Sequence, residues 1–332
     1  MLTMTGIWMY LWLIIGFVCL IKGADFFVEG SSSIAKIFNV PTVIIGLTIV
    51  AMGTSAPETA VSISAALQGA NEIAVSNVVG SNFFNLLMVV GICAILQPIN
   101  ITTSLIKRDY PYSIFATILL LVFLVIGNII TGNPTLTRAD GIIMLIFFIA
   151  YLIMLIRSTL IEIARGDKVE IEEVKSRSLP VSIALILVGL AGIIVGGDLV
   201  VKSATEIATV FGMSNTLIGL TIVAMGTSLP ELVTSIVAAK KGEADLALGN
   251  VIGSNIFNIL LVLGISSTVH GIAVQFDSVI DTVLLIAVNL IILAIVLKKK
   301  SSIGRFVGII MVVMYLIYTV YIIMRNYGML PF

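Results

Sequence analysis

Glu58 and Glu231 stand inside strongly apolar runs, and each directly follows a proline, Pro57 or Pro230. A carboxylate at the depth of a bilayer costs at least about 2.5–3.5 kcal/mol, and such a group usually lines a pathway or binds an ion. The structural alternative is a buried ion pair. No Lys or Arg lies in the neighbouring apolar runs except Lys240 and Lys241 at one end, so that alternative lacks a partner. A proline within a helix offers no N–H and clashes with the carbonyl four residues back. It therefore frees carbonyls around Gly53 and Thr54 and around Gly226 and Thr227, one turn from each acid and beside the hydroxyls of Thr54, Ser55, Thr227 and Ser228. Non-helical carbonyls inside a membrane are tolerated only where protein or a cavity satisfies them. Carboxylate, carbonyl and hydroxyl oxygens together suit hard cations.

A second polar set recurs at helical spacing. Asn77, Ser81 and Asn85 fall at i, i+4 and i+8, as do Asn250, Ser254 and Asn258, which puts each trio on one helix face. Such stripes also glue helices together, and for Asn77 and Asn250 that reading weighs nearly as much. Ser81, Asn85, Ser254 and Asn258 lie deeper and are read as lining a site. Ca2+ takes roughly 6–8 oxygen ligands. The lack of clustered His or Cys argues against a transition metal.

The elements that carry these residues are apolar helices. Of 332 residues, 59% are hydrophobic and 11% charged, against roughly 25% charged in soluble domains. Apolar runs near 7–35, 41–67, 73–96, 110–131, 138–157, 179–210, 214–239, 245–268, 278–297 and 303–324 are each long enough to span a bilayer. Residues 46–58, GLTIVAMGTSAPE, return at 219–231 as GLTIVAMGTSLPE, an offset of 173. The same offset aligns NVVGSNFFN (77–85) with NVIGSNIFN (250–258), and Asp25 with Asp198. The expected fold is an all-α membrane protein with ten transmembrane helices in two five-helix repeats. Residues 1–157 form the first repeat, 158–178 a charged connector and 179–332 the second. An odd number of spans per repeat inverts the second copy, so the paired motifs meet near the midplane from opposite faces.

Basic residues set the expected orientation. Lys36, Lys107, Arg108, Arg157, Arg165, Lys168, Lys175, Arg177, Lys240, Lys241, Lys298, Lys299, Lys300 and Arg305 fall on one side, against Arg138 and Arg325 on the other. The basic side is assigned to the cytoplasm, which places both termini outside a multi-pass protein of the cell membrane. The N-terminal run lacks a basic start and is read as a retained helix. Cys19 and Cys93 are read as buried hydrophobes and His270 as structural or inert. Asp25 and Glu29 are spaced i, i+4, as are Asp198, Lys202 and Glu206, for which intrahelical pairing or headgroup contact explains as much as transport does, with a lesser functional reading kept for the repeated Asp25 and Asp198. The connector is too short for a folded sensing domain. The balanced charge points to no nucleic acid, and no cofactor, protein partner or catalytic group is evident. The expected partners are the transported ions and the lipid bilayer.

The doubled GTSAPE/GTSLPE and GSNFFN/GSNIFN motifs resemble the alpha repeats of the cation/Ca2+ exchanger superfamily, and among its branches the prokaryotic Na+/Ca2+ exchangers. The resemblance covers essentially the whole chain. It implies four ion sites between helices 2, 3, 7 and 8. Ca2+ would be held by Glu58 and Glu231 with the carbonyls of Thr54 and Thr227. Na+ would use Ala51, Thr54, Ser55, Glu58 and Ser81 on one side, and Ala224, Thr227, Ser228, Glu231 and Ser254 on the other. Asn85 and Asn258 would flank a middle site. Some relatives, among them K+-dependent exchangers, carry Asp where this chain has Asn258, and the difference weakens the case for K+ co-transport. The implied activity is Na+/Ca2+ antiport by alternating access. An H+-coupled exchanger on the same fold is the alternative, and a cation channel a more distant one.

Overall fold

The computed structural model describes residues 7–67, 71–165, 177–212, 224–298, 302–327 and 329. The first part of the second GLTIVAMGTSLPE motif, the middle of the connector and both termini lie outside the described residues. Helix α1 is Ile7–Ile37. Helix α2 covers 42–67 in pieces, Thr42–Ile45, a π-helical Gly46–Val50, Ala51–Thr54 and Ala56–Leu67. Helix α3 runs Asn71–Phe83, π-helical Phe84–Val89 and Val90–Leu96. Helix α4 starts at a π-helical Leu105–Asp109 and continues as Tyr110–Thr131. Helices α5 and α6 are Arg138–Arg165 and Leu179–Val210. The described part of α7 is Ala224–Gly226 and Leu229–Lys240. Helix α8 is Ala244–Ile256, π-helical Phe257–Leu263 and Gly264–Val269. Phe276–Lys298 and Arg305–Asn326 are α9 and α10.

Eight single helices and one bent pair in α2 are long and apolar enough to cross a membrane among the described residues. Two short antiparallel pairings fix the sidedness of the rest. Strand β1 (Ile99–Asn100), after α3, pairs with β4 (Ser302–Ile303), after α9; β2 (Thr135–Leu136), after α4, pairs with β3 (Ile272–Ala273), after α8. Paired loops share one face of the membrane, so an even number of crossings separates them. Between β1 and β4 lie α4, α5, α6, α8 and α9, each long and apolar enough to cross, so an even count requires α7 as the sixth. The ten-helix, inverted arrangement expected from the sequence follows.

Boundaries differ where charge misleads. Helix α5 continues to Arg165, past the expected end at 157, because a charged face can continue a helix once it leaves the lipid. Helix α4 begins at Leu105 rather than near 110, since Arg108 stays in the helix by binding both carboxylate oxygens of its neighbour Asp109, at 2.8 and 2.9 Å.

Burial divides the helices into layers. α8 is almost wholly enclosed and α3 largely so, whereas the spans of α1, α4, α5, α6, α9 and α10 bury a third or less of their residues. The outer helices meet lipid and the inner ones meet protein. α1 and α6 pack through glycines at seven-residue spacing. A Cβ on Gly23 would lie 2.7 Å from the Ile193 backbone nitrogen, and one on Gly189 or Gly196 would lie 2.5 Å from the backbone nitrogen of Phe27 or Leu20. Close backbone approach through small residues gives membrane helices dispersion contact that the hydrophobic effect cannot supply inside lipid.

Candidate ion site

Both prolines break their helices rather than bend them. The ladder in α2 runs as far as the Ser55 N–H on the Ala51 carbonyl, 3.0 Å, and resumes with Thr59 on Ser55, 3.0 Å. Between them Pro57 offers no N–H, and the two halves of the helix meet at 46°. In α7 the break falls at Thr227 and Ser228, with Pro230 in the first turn of the new helix. Each acid thus sits in the first turn of a helix that begins in mid-membrane, where the helix dipole favours negative charge.

The acids cross over to the opposite repeat. Ser228 Oγ donates to Glu58 Oε1 at 2.9 Å, and Ser55 Oγ donates to Glu231 Oε1 at 3.0 Å. Ser254 Oγ adds a longer bond to Glu231 Oε1, 3.3 Å. Both glutamates are fully buried, and neither is within ion-pair distance of a Lys or Arg among the described residues. The second oxygen of each, Oε2, has no hydrogen-bond partner, and the same is true of Ser81 Oγ, Asn85 Oδ1 and Asn258 Oδ1. An unsatisfied buried polar atom costs about 1–3 kcal/mol. These five oxygens lie on α2, α3, α7 and α8, all on residues singled out in the sequence, and they are of the hard type that suits a hard cation and not a soft one.

The remaining expected ligands occupy the same region in supporting positions. Thr54 is buried and donates from Oγ1 to Asn250 Oδ1, 2.9 Å; Thr227 donates likewise to Asn77 Oδ1, 3.3 Å. Asn77 and Asn250 in turn donate to Ser62 and Ser235, each at 3.0 Å. With both ends of the amide engaged, these two asparagines are braces. Ala51 is buried beside Thr54; Ala224 opens the short Ala224–Gly226 helix, and its side chain lies outside the described residues. Ser62 and Ser235 were not read from the sequence, although they repeat at the same offset as the motifs. The other acids pair elsewhere: Asp25 with Lys241 at 2.6 Å, Glu29 with Arg177 at 2.8 Å and Asp198 with Lys202 at 2.7 Å.

Asn85 and Asn258 each fall in the first turn of a π-helical segment, Phe84–Val89 and Phe257–Leu263. A π turn widens the helix and redirects its side chains, and such turns concentrate at functional sites. No residue type in either segment announces one.

Broken helices from inverted repeats, with a buried oxygen site at their crossing, define a membrane transporter of small cations. The chain belongs to the sodium/calcium exchanger family: residues 8–157 and 181–324 match the sodium/calcium exchanger protein family. Its relatives include CaxA of Alkalimonas amylolytica, 41% identical over 317 residues that cover 93% of this chain and 96% of that protein. The sodium/calcium exchanger MaX1 of Methanosarcina acetivorans is 33% identical over 342 residues, 94% of this chain and 97% of that one. A solved structure of the sodium-calcium exchanger NCX_Mj is similar with a TM-score of 0.80 at 33% identity, covering 94% of this chain and 98% of that one. The protein is therefore a multi-pass membrane transporter of the exchanger class and not an enzyme.

Proposed function

We propose that the protein exchanges Na+ for Ca2+ by alternating access, with Na+ entry driving electrogenic Ca2+ extrusion across the cell membrane. The observation that carries this reading is the pair of buried glutamates, each with one oxygen held by a serine of the opposite repeat and one without a partner. Two negative charges neutralise one Ca2+. Ca2+ takes Glu58 and Glu231 with the Thr54 and Thr227 carbonyls. Na+ takes Ala51, Thr54, Ser55, Glu58 and Ser81 on one side and Ala224, Thr227, Ser228, Glu231 and Ser254 on the other, and Asn85 and Asn258 flank the middle. Because the same carboxylates serve both ions, the two cannot be bound together, and that exclusivity is what an exchanger needs. The lysine-rich side, which carries Lys241 and Arg177, faces the cytoplasm, and both termini face out.

Proteoliposomes loaded with Na+ and diluted into Na+-free medium will accumulate radiolabelled Ca2+, and an inside-positive potential will speed the uptake, because the departing Na+ carries out more positive charge than Ca2+ brings in. Uptake that follows a pH gradient and ignores Na+ would assign the coupling to protons. Uptake without any counter-ion would make the protein a channel. A cysteine introduced at Ser176 will be labelled from the cytoplasm only and one at Phe332 from outside only; the reverse pattern overturns the orientation.

A further inference from the structure

Two buried residues beside the site have no role in the reading above. Asn82 and Asn255 occupy equivalent positions in the two repeats, each only 1% exposed. Asn258 Nδ2 donates to Asn82 Oδ1 at 3.1 Å, and Asn85 Nδ2 donates to Asn255 Oδ1 at 3.2 Å. Asn82 Nδ2 donates to the Asn255 backbone carbonyl, 3.2 Å, so the first of these acceptors is itself held in place from the other repeat. The carbonyl oxygens of Asn85 and Asn258 are left buried and without a partner.

An asparagine amide is ambivalent: one end accepts and the other donates twice. Beside a cation only the oxygen is useful. An NH2 group turned toward the site would repel the ion and would compete for the free glutamate oxygens. Nothing within an isolated asparagine decides between these orientations; the surrounding hydrogen bonds do. Here the deciding acceptors come from the opposite repeat in both halves.

Resting on the exchange reading above, we propose that Asn82 and Asn255 are positioning residues that capture the amide donors of Asn258 and Asn85, so that the middle of the site presents oxygen alone. They touch no ion. They set its affinity by fixing which end of the neighbouring amide the ion meets.

The test uses the detergent-purified full chain, with Ca2+ binding measured by titration calorimetry and the folded state followed by gel filtration and thermal unfolding. Asn82→Leu and Asn255→Leu remove the acceptor at similar volume, and Asn82→Ser and Asn255→Ser serve as smaller substitutes. Each is expected to raise the Ca2+ Kd about tenfold. The decisive comparison repeats them in the background that has no amide donor to misplace, Asn258→Asp for Asn82 and Asn85→Asp for Asn255. There the penalty should fall below about twofold. A penalty of the same size in both backgrounds assigns Asn82 and Asn255 to packing and overturns the proposal. Loss of the folded protein with every substitution, or Asp backgrounds that bind no Ca2+, overturns it too. Failure of the exchange reading shows separately, as Ca2+ uptake by the unmodified protein that ignores Na+.

Discussion

The centre of the molecule and its two outer ends, where the ion pairs of Asp25 on α1 and Asp198 on α6 lie partly exposed, treat the same internal duplication differently. At the centre most contacts have a twin: Ser228 to Glu58 and Ser55 to Glu231, Thr54 to Asn250 and Thr227 to Asn77, Asn77 to Ser62 and Asn250 to Ser235. The exceptions are Ser254 to Glu231, whose counterpart Ser81 has no such bond, and Asn82 to the Asn255 carbonyl. At the ends the twins part. Asp25 of α1 binds Lys241 in the turn between α7 and α8, whereas its counterpart Asp198 of α6 binds Lys202 one turn along its own helix. Ser32 of α1 also donates to the buried Glu243 in that α7–α8 turn. On the proposed reading the two halves serve one set of ions, so the central residues of both repeats answer to the same ligand. The ends meet different surroundings on the two faces of the membrane and carry no such constraint.

The comparison is broken most directly at the acids. Glu58→Gln and Glu231→Gln keep the side-chain volume and remove one charge from a water-poor site. Two unit charges about 4 Å apart interact by roughly 4 kcal/mol at an effective dielectric constant near 20, and a divalent ion feels twice that. Each variant should lose Ca2+ transport by a hundredfold or more, on the order of 3 kcal/mol at least, while it still inserts and elutes as a single species. The losses should be alike, because both acids face one ion. A Glu58→Gln protein that moves Ca2+ at near the unmodified rate would remove Glu58 from the ligand set, and a strong inequality between the two would break the symmetry of the centre.

The braces sharpen the comparison with a smaller effect. Asn250→Ala removes the acceptor for Thr54 Oγ1 and the donor to Ser235 Oγ in a fully buried setting, leaving these hydroxyls the Val50 and Ala247 carbonyls at 3.1 and 3.4 Å, and should cost about 0.5–1.5 kcal/mol of stability. Asn77 makes the equivalent bonds but is half-buried, and its bond from Thr227 is longer, 3.3 against 2.9 Å. Water can replace what is lost there. Asn77→Ala should therefore lower the unfolding temperature in detergent less than Asn250→Ala does. Equal shifts would mean that the two braces share one environment.

Much of this was legible in the sequence, for a physical reason. A charge inside an apolar run is so costly that Glu58 and Glu231 could be singled out from their neighbours alone, and the repeat at one offset supplied the inversion. The cross-repeat contacts were not legible. That Ser55 serves Glu231 and not Glu58 depends on how inverted helices pack, which no local pattern encodes. Asn82 and Asn255 were passed over because they lie off the i, i+4 stripe of Ser81 and Asn85. The stripe assumes 3.6 residues per turn, and the π turns that start at Phe84 and Phe257 alter the register where those amides meet. The long α1–α6 contact could have been found: Gly16, Gly23 and Gly30 and their partners Gly189 and Gly196 repeat every seven residues.

The smallest effect concerns the ends, where the comparison predicts an asymmetry. Lys241 Nζ reaches both the Asp25 carboxylate, 2.6 Å, and the Asp25 backbone carbonyl, 2.9 Å, and so ties α1 to the α7–α8 turn. Lys202 and Asp198 lie on one helix and tie α6 to nothing else among the described residues. Both pairs are partly exposed, and such pairs contribute about 0.2–1 kcal/mol. For a pair that bridges two elements, that energy counts only in the arrangement where the elements are close. Lys241→Ala should thus shift the balance between the two access states by at most about fivefold, read as a changed ratio of apparent Ca2+ affinities from the two faces of oriented vesicles. Adding Ser32→Ala removes the second tie to the same turn and should enlarge the shift. Lys202→Ala removes a pair that moves as one piece with α6 in every state, and should leave the ratio unchanged. Equal effects of Lys241→Ala and Lys202→Ala would show that these end pairs act only through surface charge. In that case 0.5 M salt, which shortens the screening length to well below 10 Å, would abolish both effects together.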